Sequence, residues 1–192
     1  QKRLFTYDDW RLLGEYALDG SPKQETIWLG SLPIATVQDG TLFYIHADHL
    51  GTPRVIVDPG TGTEQWRWEP DPFGTIGPDE DPDGDGVKLT YNLRFPGQYL
   101  DQETGLHYNY FRDYQPKSGR YMSSDPVGLR AGLNTYSYTG GNPVNYADSR
   151  GLLYGDTVTN WHRQCMNHPT SETRCECHCV YATNYRACIE RC

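Results

Sequence analysis

The first 164 residues hold no cysteine; all six cysteines fall between Cys165 and Cys192. A disulfide framework is thereby excluded from most of the chain and confined to its end. Positive charge is also scarce, with 17 Lys and Arg against 25 Asp and Glu and a net charge of −8. The four Arg after residue 152 are balanced by Asp156, Glu172, Glu176 and Glu190, so the whole excess belongs to residues 1–152. A surface of that sign offers no footprint for a nucleic-acid backbone, and no nucleic-acid partner is expected. No run of about 18 apolar residues exists, so no membrane segment is expected. The opening "QKRLFTYDDW" has neither an initiator Met nor an apolar leader and reads as the continuation of a longer polypeptide.

What is abundant is aromatic and turn-forming: 15 Tyr, 20 Gly and 13 Pro, with only 36% hydrophobic residues. The stretches "LFTYDDWRLLGEYAL", "ETIWLGSLPIATV", "TLFYIHAD", "PRVIVD", "EQWRWEPD", "LHYNYFRDY" and "GRYMSSD" alternate with a period of two and are separated by Gly, Pro and Asp. No capped stripe of period 3.6 precedes residue 150, so an all-β layout of antiparallel hairpins is predicted. Asp-x-x-Gly recurs at 48–51, 71–74, 125–128 and 148–151; the first two and the last two are each 23 residues apart. Asp first and Gly fourth suit a type I turn, so each unit reads as a strand closed by a turn.

Three longer motifs, "YIHADHLGTPRVIVDPGTGTEQWRWEPDPFG", "NLRFPGQYLDQETGLHYNYFRDYQPKSGRYMSSDPVGL" and "NTYSYTGGNPVNYADSRGL", resemble the C-terminal part of Rhs/YD-repeat proteins, including the C components of Tc toxins. The resemblance covers roughly residues 1–152 and is strongest over 91–152. It implies a curved antiparallel sheet of hairpins at the end of a hollow β shell, followed by a variable C-terminal segment, here 153–192. It further implies a single-turnover cut after the Leu of an Asp-Pro-x-Gly-Leu motif, between Leu152 and Leu153. The residues it implies for that cut are Asp125 and Asp148, with Arg112 beside them to keep one carboxylate charged.

Peptide hydrolysis by carboxylates needs two close together, one ionised to take a proton from water and one protonated to polarise the carbonyl. The same Asp-x-x-Gly pattern at Asp48 and Asp71 is ordinary turn chemistry, and spacing alone gives Asp125 and Asp148 no more than that. Arg112 likewise has a bland reading as a strand-edge cation. "DSRGL" departs from the family motif by carrying Ser149 where Pro is usual, which removes a restraint on φ and is expected to loosen the turn presenting Leu152.

Asp81, Asp83, Asp85 and Gly86 imitate the start of a calcium loop, but its twelfth position falls on Asn92 rather than Glu, which favours a solvated acidic loop. His46 and His49 lie in ordinary repeat sequence. No cofactor or metal is expected in the body. In the tail, Cys175, Cys179, Cys188 and Cys192 form two C-x3-C pairs that suit a helical hairpin with bridges from Cys175 to Cys192 and from Cys179 to Cys188, leaving Cys165 and Cys177 to pair. Zinc held by His162, Cys165, His168 and the "CECHC" thiolates is the rival. A Cys/His nucleophile is disfavoured, since so short a segment gives little scaffold to lower a thiol pKa.

Three functions follow. One is a self-cleaving shell end that carries or releases an effector, made as a secreted or cell-surface protein. Its partners would be upstream YD repeats of the same polypeptide, secretion machinery and an immunity protein. The others are a structural YD-repeat protein that is never cut, and a metal-binding interaction tail.

Overall fold

The computed structural model describes residues 2–152. The predicted disulfide hairpin or zinc site of the tail, and Leu153 itself, lie outside the described residues. Two antiparallel meanders make up the fold. The larger runs in sequence order through β1 (Leu4–Asp8), β2 (Arg11–Tyr16), β3 (Pro22–Leu29), β4 (Leu32–Gln38), β5 (Thr41–Ala47), β6 (Pro53–Val57) and β7 (Glu64–Arg67). The smaller comprises β8 (Tyr99–Asp101), β9 (Leu106–Asn109), β10 (Arg112–Gln115) and β11 (Arg120–Tyr121). The helical segments among the described residues are short 3₁₀ turns, at Pro116–Ser118, Gly128–Ala131 and Thr139–Gly141. The predicted strand stretches are all used, and three of them, at 4–18, 25–37 and 106–114, are complete hairpins. β8 was not anticipated.

The turns explain the meander. Asp39 and Gly40 join β4 to β5 with φ of 46° and 84°. Two successive left-handed residues match the twist of a hairpin, which is why Asp-Gly stands there. An added Cβ at Gly40 would meet nothing within 4 Å. Gly40→Ala therefore tests backbone conformation alone, and a loss of about 1 kcal/mol in a denaturant titration is expected. Five of the six pairings in the larger sheet carry a register shift, at Thr6/Tyr7, Glu15/Tyr16, Ile27/Trp28, His46/Ala47 and Ile56/Val57. Each shift bends its strand and adds local twist.

The core is aromatic and links both sheets. Trp66, Trp68, Tyr91, Tyr114, Tyr121 and Tyr138 are all buried. Ring contacts run from Trp66 to Trp68 at 6.5 Å, to Phe95 at 5.4 Å, to Tyr138 at 5.9 Å and to Tyr121 at 5.8 Å. Large flat side chains bury much area per residue and prefer tilted contacts, so a chain poor in aliphatics still fills its interior. Tyr121, the last of the series, brings that core to the edge of the candidate site.

Candidate functional site

The Asp-x-x-Gly segments at 48–51, 71–74, 125–128 and 148–151 form the same turn. The Gly N–H donates to the Asp carbonyl at 3.0 Å in 48–51, 2.9 Å in 71–74, 2.9 Å in 125–128 and 3.4 Å in 148–151. The glycines all have positive φ, between 69° and 92°. The carboxylates accept backbone N–H groups further along: Leu50 and Thr52 on Asp48, Phe73 and Thr75 on Asp71, Val127 on Asp125, and Leu152 on Asp148. Turn formation thus accounts for Asp at every one of these positions.

Burial separates them. Asp48 and Asp71 are partly exposed, whereas Asp125 and Asp148 keep 6% and 2% of their surface. The two buried carboxylates meet at one atom: Nη2 of Arg112 lies 2.8 Å from Oδ2 of Asp125 and 3.2 Å from Oδ2 of Asp148. Arg112 opens β10 and is itself buried. Its Nη1 donates to the Thr135 carbonyl at 3.1 Å, its Nε donates to the Gly151 carbonyl, and its guanidinium stacks 3.6 Å from the centre of the Tyr121 ring. A guanidinium spends every face here, which a lysine ammonium cannot match.

Electrostatics set this pair apart from the other turns. Burial raises Asp125, opposed by the Val127 N–H and Arg112. Burial pushes Asp148 up to about 6, against Arg112, the Tyr121 hydroxyl and the Leu152 N–H, with the nearby Asp125 charge adding to the rise. Asp71, in the same turn at the surface, is held below the usual carboxylate value, chiefly by the Thr75 hydroxyl. Two carboxyls sharing one cation in a dry setting do not both ionise readily, which is the condition for an acid beside a base. A cavity of about 290 Å³ is lined by Arg112, Asp125, Asp148 and Leu152 together with residues 131–134. It is large enough for water and a peptide group.

The turn that carries Leu152 is gripped from several sides. Asn109 Nδ2 donates to the Asp148 carbonyl at 2.8 Å, and the Phe111 N–H donates to the Arg150 carbonyl at 3.2 Å. Gly97, at φ 79°, approaches so closely that an added Cβ would lie 1.9 Å from the Ser149 carbonyl oxygen. Gly151, at φ 70°, passes the Asn109 carbonyl, where a Cβ would lie 2.6 Å away. The expected loosening at Ser149 is therefore countered by contacts outside the turn, and the turn closes without Pro. Sequence reasoning passed over Asn109, Tyr121, Thr135 and Gly97. The one usable signal was alternation: Asn109 on β9 and Tyr121 on β11 share inward positions with the core aromatics.

The other candidates stay apart from this site. The carboxylate oxygens of Asp81, Asp83 and Asp85 come within 4.8 Å of one another, which makes them the one such metal-capable group among the described residues. Asn92 at the twelfth position is buried and bonds Tyr99 and Gln102, so it does not complete a calcium loop. His46 and His49 are exposed, and His49 Nε2 lies 3.1 Å from the Val144 carbonyl. His107, not singled out by sequence, is buried against Gln98 at 2.7 Å and lowered to about 3 by desolvation, so it is neutral.

An aromatic antiparallel meander punctuated by Asp-x-x-Gly turns is the architecture of YD-repeat proteins. The family model for the teneurin YD-shell matches residues 29–144, and the chain belongs to that family. Within it, the chain is an Rhs/YD-repeat protein related to Tc-toxin components. The toxin protein Tse5 of Pseudomonas aeruginosa is 35% identical over 138 residues, covering 72% of this chain and 10% of Tse5. The probable deoxyribonuclease RhsA of Dickeya dadantii is 35% identical over 166 residues, 83% of this chain and 10% of RhsA. A crystal structure of TcdB2-TccC3 without its hypervariable C-terminal region matches with a TM-score of 0.57 and 25% identity over 78% of this chain and 8% of that one. The chain thus spans about a tenth of the length of these relatives.

Proposed function

We propose that residues 1–152 form the end of an Rhs-type shell that cuts its own chain between Leu152 and Leu153, freeing residues 153–192 as a short effector. The observation that carries this reading is the meeting of two buried turn aspartates on one Arg112 nitrogen, one of them bonded to the Leu152 N–H. The ionised carboxylate takes a proton from water as the water oxygen adds to the Leu152 carbonyl carbon. The protonated carboxylate gives its proton to the carbonyl oxygen. When the C–N bond breaks, the first carboxylate returns its proton to the Leu153 nitrogen, and the second recovers one from the carbon's hydroxyls. The pair ends as it began, although each chain offers one bond to cut. Two acid-base groups and a positioned peptide supply rate without metal or cofactor.

The unpaired side of β1 suits upstream YD repeats of the same polypeptide, since among the described residues β1 pairs with β2 alone. Export from the cell, as a secreted or cell-surface protein, agrees with relatives named as toxins. Secretion machinery and an immunity protein complete the partners that such a role requires. No described helix is long and apolar enough to cross a membrane.

Full chain made by cell-free translation in ¹⁸O-labelled water is the direct test. A product ending at Leu152 with one labelled carboxylate oxygen is expected by mass spectrometry. A chain that stays whole at every pH supports the uncut structural reading instead.

A further inference from the structure

Asn109, Tyr121 and Asp148 form a chain of hydrogen bonds whose direction can be assigned. Asn109 Nδ2 lies 2.8 Å from the Asp148 carbonyl oxygen, which can only accept, so that end of the amide is the donating NH₂. The same Nδ2 lies 2.8 Å from the Tyr121 hydroxyl, which therefore accepts from it. The Tyr121 hydroxyl directs its own hydrogen to Asp148 Oδ2 at 2.9 Å. Arg112 Nη2 donates to that same oxygen at 3.2 Å. Two donors thus meet at Oδ2, while Oδ1 accepts the Leu152 N–H.

We propose that Tyr121, oriented by Asn109, is a positioning residue that caps Oδ2 of Asp148 and sets the pH at which Asp148 exchanges its proton. The proposal rests on the self-cleavage reading and names the group that tunes it. Among the described residues, the titratable and charged groups facing Asp148 include Arg112 from β10, Tyr121 from β11, Asp125 from the adjoining turn, and Tyr138. Among these, Tyr121 alone can be changed by one oxygen while its ring stays under Arg112. A donor to a carboxylate stabilises the charged form, so its removal makes Asp148 hold its proton to higher pH.

The experiment uses the full chain translated cell-free and chased in buffers from roughly pH 4 to 9, a range that spans the titration of ordinary and raised carboxyls. Tyr121→Phe is expected to move the pH midpoint of cutting upward by about one unit. Asn109→Ala moves it less and in the same direction, because the freed hydroxyl can still reach Oδ2. Thermal unfolding on an uncut Asp125→Asn background gives a second readout that needs no cleavage. The stability that Asp148 contributes is full below its unfolded pKa and lost as pH rises through the folded value, and Tyr121→Phe displaces that loss to higher pH. Slower cutting at every pH, with both midpoints unmoved, makes Tyr121 a packing residue and overturns the proposal. A wild-type chain never cut ends the cleavage reading, while the unfolding midpoint still decides the role of Tyr121.

Discussion

Asp148→Asn is expected to leave the chain whole, and Asp125→Asn to do the same, with cutting after Leu152 reduced by about 10²- to 10⁴-fold or more. Intact mass spectrometry of each variant beside the wild type reads the result. Neither change should unfold the protein. Asn fits the first position of the turn as Asp does. Arg112 keeps one carboxylate in each single variant, so no buried cation is left alone. If both variants are still cut after Leu152 at the wild-type rate, a different protease makes the cut.

Gly97→Ala should be the most damaging methyl in the described chain. The position combines φ of 79° with a Cβ placed 1.9 Å from the Ser149 carbonyl oxygen. Gly40 shares the left-handed backbone but faces open space, so comparing the two separates strain from collision. A loss of about 3 kcal/mol or more is expected for Gly97→Ala, against about 1 for Gly40→Ala. Backbone must move to admit the methyl, and the nearest that can yield is the turn at 148–151, so cutting should disappear as well. Equal denaturation midpoints for the two variants would show that Gly97 does not hold this turn.

Most of the strands were legible because period-two alternation of aromatic and β-branched residues is a local signal, bounded by Gly, Pro and Asp. β8 was hidden: three residues between Gln98 and Gln102 carry too little alternation to register. The site was legible only by resemblance. Asp48, Asp71, Asp125 and Asp148 look alike locally because they make the same turn, and what distinguishes the last two is burial against Arg112. Burial of that kind arises from packing between remote segments, which no window of sequence records. Asn109 and Tyr121 escaped for the same reason, since each bonds a group 39 or 27 residues away.

Arg150 sits in the turn that carries Leu152, yet its Nε donates to Asp9 Oδ1 at 3.0 Å, in the hairpin tip between β1 and β2. A contact spanning 141 residues is late by nature, because the chain must close a long loop to make it. The residues proposed to make the cut, Arg112, Asp125 and Asp148, are likewise assembled from separate stretches. Self-cleavage would then serve as a clock: a polypeptide still emerging or wrongly paired has no protease to use against itself. The break at Leu152 would mark the moment at which both ends of the sheet system have found each other.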